Sequence, residues 1–212
     1  EETGGDYFDF IPMLDQTLGL VVGDVSGHGL GPSLLMSSTR AYLRAFCLNF
    51  TDLGKILENV NKVLYEDISD RKRFVTLFFA SLDLVEKSII YSNAGHTSGY
   101  IIDKNGFIKE ELKSTNLPLG IVESVEYTNS SRIFLKPGDI CLFATDGLFE
   151  ARTGSEEKFS VDKAIDILHK NRNLSANMLV ELLYNSAQKF TTNQIQEDDI
   201  TAIVVKNLET CI

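Results

Sequence analysis

Tryptophan is absent from this chain of 212 residues, which holds only three histidines, three cysteines and four prolines. Each scarcity excludes something. Cys47, Cys141 and Cys211 are odd in number, far apart and never in a CxxC pair. That argues against a disulfide framework or a zinc ribbon and fits a reducing cytoplasm. Basic charge is also short: Lys+Arg is 20 against 30 Asp+Glu, a formal net charge of −10. So acidic a chain is a poor non-specific binder of nucleic acid, because neutralising phosphates needs clustered Lys and Arg. No apolar run reaches membrane-spanning length and no basic-then-apolar leader opens the chain, so no membrane contact by this domain is expected. Repeats, low-complexity stretches and Pro/Ser-rich linkers are lacking too, so residues 1–212 read as one domain. The first residue is Glu1, and the expectation is a domain cut from something longer. What is present, 43% hydrophobic residues, suffices for a real core.

β-Branched and aromatic runs predict strands at Tyr7–Leu14, Leu18–Val25, Phe74–Leu82, Ser88–Ser92, Gly99–Asp103, Phe107–Leu112, Val125–Leu135, Asp139–Ala144 and Ile200–Val205. Pro12 pushes the first toward an edge or a bulge. Asn105-Gly106 is a hairpin turn. Helical spacing of apolar residues predicts helices at Gly31–Leu48, Asp52–Ile68, Val161–Lys170 and Ala176–Phe190, with Thr51 and Ser175 as N-caps. Strands outnumber helices and mostly join by hairpins. The expected class is α+β, antiparallel sheets with helices layered outside them.

Carboxylates recur where strands meet loops: Asp6, Asp24, Asp146 and the pair Asp198-Asp199. Taken singly, each reads most simply as a turn residue or helix cap. Taken together, strand ends from different parts of the chain can converge, and carboxylates without His or Cys neighbours suit the hard cations Mg²⁺ and Mn²⁺ rather than Zn²⁺. Gly23, Gly27, Gly29 and Gly31 around Asp24 allow close backbone approach.

Six blocks then carry a resemblance: Gly4-Gly5-Asp6-Tyr7-Phe8-Asp9, Gly23-Asp24-Val25-Ser26-Gly27-His28-Gly29, Ser92-Asn93-Ala94-Gly95-His96, Leu117-Pro118-Leu119-Gly120, Ala144-Thr145-Asp146-Gly147 and Asp198-Asp199-Ile200-Thr201. In this order, across nearly the whole chain, they resemble the metal-dependent Ser/Thr protein phosphatases of the bacterial SpoIIE-type branch. The resemblance implies an α-β-β-α sandwich of two antiparallel sheets flanked by helices, with two Mn²⁺ or Mg²⁺ ions. It implies that Asp6, Asp24 and the Val25 carbonyl hold one ion. Asp24 would bridge to a second, completed by Asp146 and Asp198. It implies hydrolysis of a phosphoserine or phosphothreonine on a partner protein, typically an anti-sigma-factor antagonist, by a metal-bridged hydroxide without a covalent nucleophile. A longer signalling protein and a homodimer are both compatible with it. Departures accompany the likeness: no counterpart of the phosphate-gripping arginine of the animal type 2C enzymes is found, and the strand that usually precedes Gly4 looks truncated.

The other readings are weaker. Calcineurin-type metallophosphatases need several more histidines than His28, His96 and His169 supply. The likeness of Gly4–Phe8 to diguanylate cyclases lacks their following glutamate, and no cysteine is closely followed by the arginine that tyrosine phosphatases use. A catalytically silent partner-binding domain of the same fold is the rival from another class. His28 is read first as a loop histidine bonded to the glycine turn, with proton donation to the leaving group as its functional alternative. For His96 a structural role is favoured more strongly. The Gly31–Leu48 and Asp52–Ile68 helices directly follow the Asp24 loop. With the resemblance, this adjacency reads as coupling of metal binding to an upstream sensor or dimer contact through movement of the first, and the plain alternative is core packing.

Overall fold

The computed structural model describes residues 4–68, 73–151, 158–191 and 199–208. The chain forms two compact units, residues 1–98 with 113–135 and residues 99–112 with 136–212.

The first unit is built on a sheet in the order β1-β2-β3-β4-β7, antiparallel throughout: β1 Tyr7–Pro12, β2 Leu18–Val25, β3 Val75–Asp83, β4 Ser88–Ala94 and β7 Ile133–Phe134. Along β1, Tyr7, Asp9 and Ile11 are buried while Phe8, Phe10 and Pro12 are exposed, the period of two that a one-sided strand requires. As Pro12 predicts, β1 is an edge strand. Two helices cover the Tyr7/Ile11 face, α1 Leu30–Cys47 and α2 Leu53–Asp67, and share with it a core of Val21, Val25, Leu43, Ile56, Leu57, Leu77 and Phe79. The α2 face read from spacing is the buried one. Its N-cap falls one residue later than expected: Asp52, not Thr51, accepts from the Lys55 N–H.

The long strand expected over 125–135 is not formed, and only Ile133–Phe134 pairs, with β4. Upstream backbone groups are satisfied by side chains distant in sequence. Asn116 Oδ1 accepts from Thr128 N–H, and Ser92 Oγ donates to the Thr128 carbonyl. With partners already supplied, the segment has no need of a ladder.

The second unit carries the sheet β6-β5-β8-β9, again antiparallel: β5 Gly99–Ile102, β6 Ile108–Leu112, β8 Ile140–Ala144 and β9 Ala202–Lys206. Its helices are α3 Asp146–Glu150, α4 Val161–Lys170 and α5 Ala176–Phe190. Ile165, Leu168, Leu179 and Leu183 from α4 and α5 pack on Ile102, Leu142 and Val204. Ser160 and Ser175 cap α4 and α5 by accepting from Lys163 and Met178 N–H. The fold class is α+β, with two antiparallel sheets and five helices among the described residues. None of those helices is long and apolar enough to cross a membrane.

One inward position of β1 is polar. Asp9 accepts from both Nε and Nη2 of Arg44 on α1 at 2.6 Å each, and from the Tyr7 hydroxyl at 2.6 Å. Arg40 stands 3.9 Å away. Burial pushes the Asp9 carboxyl up, but the bonds from Arg44 and Tyr7 outweigh it and hold the group below its ordinary 3.8. A depressed folded value means that this stabilisation is full above the unfolded value and is lost as pH falls through the folded one. Asp9→Asn is therefore expected to cost about 1.5–3 kcal/mol near neutral pH, the range for hydrogen bonds to charged groups. In denaturant titrations the gap between wild type and variant should close below the ordinary Asp value of 3.8. A gap that stays constant down to acid pH would mean that the ion pair adds nothing.

Candidate metal centre

In the first unit the β1–β2 register pairs Phe8 with Val22 and Tyr7 with Gly23. The ladder ends there, with Asp6 the residue before β1 and Asp24 the next residue of β2. Residues opposite each other in an antiparallel pair project from the same face. Val22 and, two residues on, Asp24 thus share the face of Phe8, turned away from α1 and α2. Both carboxylates are half-buried. A methyl group placed on Gly5 would lie 2.8 Å from Asp24 Oδ1 and 2.8 Å from the Val25 carbonyl oxygen. Two hard oxygen donors thus face the same patch of side-chain-free backbone, the donor chemistry that Mg²⁺ and Mn²⁺ prefer. The residues fit the implied metal in this respect.

Local bonds hold these arms. Ser33 Oγ, in the first turn of α1, donates to the Gly4 carbonyl at 2.8 Å. Ser26 N–H donates to the Phe74 carbonyl, and Phe74 N–H to Ser26 Oγ, prolonging the β2–β3 contact past Val25. Gly27 and Gly29 then turn the chain into α1 with φ of 91° and 92°, a region that residues with a Cβ rarely enter. His28 between them is exposed and makes no hydrogen bond among the described residues. The reading of His28 as the bond that shapes this turn is corrected: the glycines and the two serines shape it.

His96 is 6% exposed, as its structural reading anticipates. Its N–H donates to Asn93 Oδ1 at 2.8 Å, and its Nδ1 lies 2.8 Å from Thr76 Oγ1.

In the second unit Asp146 is the exposed first residue of α3, one residue (Thr145) after β8. Thr145 is fully buried. Its N–H donates to the Thr201 carbonyl at 3.0 Å, and the Thr201 N–H donates to Thr145 Oγ1 at 3.1 Å. These bonds bring Asp146 and the chain just before β9, with half-buried Asp199, to one end of that sheet. Asp198 lies outside the described residues. Among the described residues no three Asp, Glu, His or Cys side chains gather into a metal-holding group.

Two polar residues of the first unit escaped the reading from sequence. Asp9 had a signal, a charged residue at an inward position of a strand. Thr76 had none, since threonine is ordinary in a strand.

The model of the family "Stage II sporulation protein E (SpoIIE)" matches residues 14–207. The chain belongs to the SpoIIE family. Another match is the phosphoserine phosphatase RsbU of Bacillus subtilis, 26% identical over 97% of this chain and 60% of RsbU. The SpoIIE-family chain thus spans about three fifths of that relative's length. Among solved structures, the SiaA PP2C domain of Pseudomonas aeruginosa superposes with a TM-score of 0.82 at 21% identity, covering 96% of this chain and 80% of that one. A structure of RsbX in complex with magnesium gives 0.66 at 21% identity, over 95% and 86%. At these identities the two structures establish the fold, the PP2C-type fold.

Proposed function

We propose that this chain is the catalytic domain of a metal-dependent phosphoprotein phosphatase acting on phosphoserine or phosphothreonine of a partner protein. The observation that carries the reading is the meeting of Asp24 Oδ1 and the Val25 carbonyl in front of Gly5. The phosphoserine phosphatase RsbU among its relatives supports the substrate class. Asp6, Asp24 and Val25 would hold one Mn²⁺ or Mg²⁺, and Asp24, Asp146 and Asp198 a second. When bound, the ions supply Lewis acidity toward phosphate oxygens and a water ionised near neutral pH. The carboxylates supply the charge that retains the ions, and the glycine backbone leaves the donors accessible. No side-chain nucleophile is needed. Cys47 and Cys141 are buried, and burial pushes their thiols up to about 11 and about 12, where thiolate is scarce at neutral pH. The partner we favour is a small phosphorylated antagonist of an anti-sigma factor, met in the cytoplasm by a longer, dimeric signalling protein that contains this domain.

The test is hydrolysis of p-nitrophenyl phosphate and of a phosphoserine protein with Mn²⁺, with Mg²⁺ and with EDTA. Turnover that needs the metal supports the reading. A folded chain inert with every metal is instead the silent partner-binding domain. For the second ion, Asp198→Asn is expected to cost activity about tenfold or more, about 1.4 kcal/mol in barrier. Asp199→Asn should be milder and partly restored by excess Mn²⁺. The reverse order moves the ligand to Asp199.

A further inference from the structure

Between the candidate donors and the Asn93–His96 loop runs a short polar chain within the first unit. The β2–β3 ladder sets Thr76 opposite Asp24, and Thr76 Oγ1 lies 3.4 Å from the Asp24 carbonyl. Behind the hydroxyl stands His96 Nδ1, at 2.8 Å. A hydroxyl has one proton. With the Asp24 carbonyl as its acceptor, Nδ1 is the ring nitrogen that donates.

The loop presenting His96 is itself fixed. Gly95 adopts φ 70°, and a methyl group on it would come within 2.3 Å of Pro118 Cγ. The residue after that proline, Leu119, exchanges both backbone bonds with Val75, at 3.0 and 2.8 Å. Val75 is in turn the ladder partner of Val25. The Asn93–His96 and Leu117–Gly120 blocks, which supply no metal ligand, thus close around the residues opposite the donors. An apolar side chain would fill the His96 position without the desolvation cost of an imidazole. A bonded ring there implies a use for its hydrogen bond.

We propose that Thr76 and His96 are positioning residues for the metal donors: the chain from His96 Nδ1 through Thr76 Oγ1 to the Asp24 carbonyl sets the plane of the Asp24–Val25 peptide. That plane fixes where Asp24 Oδ1 and the Val25 oxygen point. The inference rests on the proposed metal site but is measured apart from turnover. Groups that orient a metal's ligands are worth about 10–100-fold in affinity.

The experiment is calorimetric titration of the metal-free chain with Mn²⁺, alongside thermal unfolding without metal. Thr76→Val keeps the side-chain shape and removes the hydroxyl. It is expected to weaken Mn²⁺ binding about tenfold or more with a much smaller change in unfolding temperature. Thr76→Ser should restore binding, His96→Leu should match Thr76→Val, and His96→Asn, which keeps a donor near Nδ1, should be intermediate. In turnover the loss should fall on kcat at low Mn²⁺, with KM for phosphoprotein unchanged. Wild-type Mn²⁺ affinity in Thr76→Val overturns the proposal, as does a Thr76→Ser no better than Thr76→Val. A wild-type chain that binds Mn²⁺ but hydrolyses no phosphoester refutes the phosphatase reading and leaves the affinity series to decide this one. A wild-type chain that binds no Mn²⁺ overturns both.

Discussion

Asp24→Asn is expected to lower Mn²⁺-dependent turnover by about 100-fold or more, about 2.7 kcal/mol in barrier, while leaving the circular dichroism spectrum and unfolding temperature close to wild type. The side chain stays the same size, but it loses its charge and one acceptor oxygen becomes an NH₂ donor. Asp24 is half-buried on the sheet face turned away from α1 and α2, outside their core. In the proposed site it is the one residue shared by both ions, so its neutralisation weakens each. Steady-state rates across an Mn²⁺ titration decide the matter. If the variant keeps more than about a tenth of wild-type rate at saturating metal, the shared role is wrong.

Gly5→Ala is expected to be nearly as damaging by a different route. The added methyl group would sit 2.8 Å from the Val25 carbonyl oxygen, a backbone atom that cannot rotate aside, and 2.8 Å from Asp24 Oδ1. One of the three must move, and each movement separates the donors. Overpacking of this kind costs about 1–3 kcal/mol, and here the displacement falls on the site itself. Mn²⁺ affinity by calorimetry should drop about 10–100-fold, the range seen when a ligand's support is disturbed. Excess Mn²⁺ should recover part of the turnover in Gly5→Ala, and little in Asp24→Asn. Wild-type affinity in Gly5→Ala would show that the donors meet the metal elsewhere than in front of Gly5.

The long elements were legible because their periodicity is strong. The α2 face of Leu53, Ile56, Leu57, Val60 and Leu64 is buried as spaced, and β2 keeps the limits read for it. Helix α3 was not legible, since five residues make little more than one turn and show no period. Residues 125–132 misled for a physical reason. They look like a strand locally, and the side chains that satisfy Thr128 within them, Asn116 and Ser92, come from elsewhere in the chain. The candidate site divides the same way. Asp6, Asp24 and Asp146 stand out as carboxylates at strand ends, a local property. That Asp24 Oδ1 and the Val25 oxygen meet at Gly5 depends on strand register, and that Thr76 backs Asp24 depends on the β2–β3 pairing. Neither is written within any single block.

The Asp9–Arg44 fork joins positions 35 apart in sequence, and it constrains how such domains can diverge. Loss of Arg44 alone leaves the buried Asp9 carboxylate without its fork, whereas Arg44 is itself 42% exposed, so the arginine is expected to drift only once position 9 is neutral. A chimera that received α1 from a relative without arginine at position 44 would inherit an orphaned carboxylate. It would be rescued most simply by a neutral residue at position 9, which makes the pair a compatibility rule for grafting a foreign α1 onto this sheet.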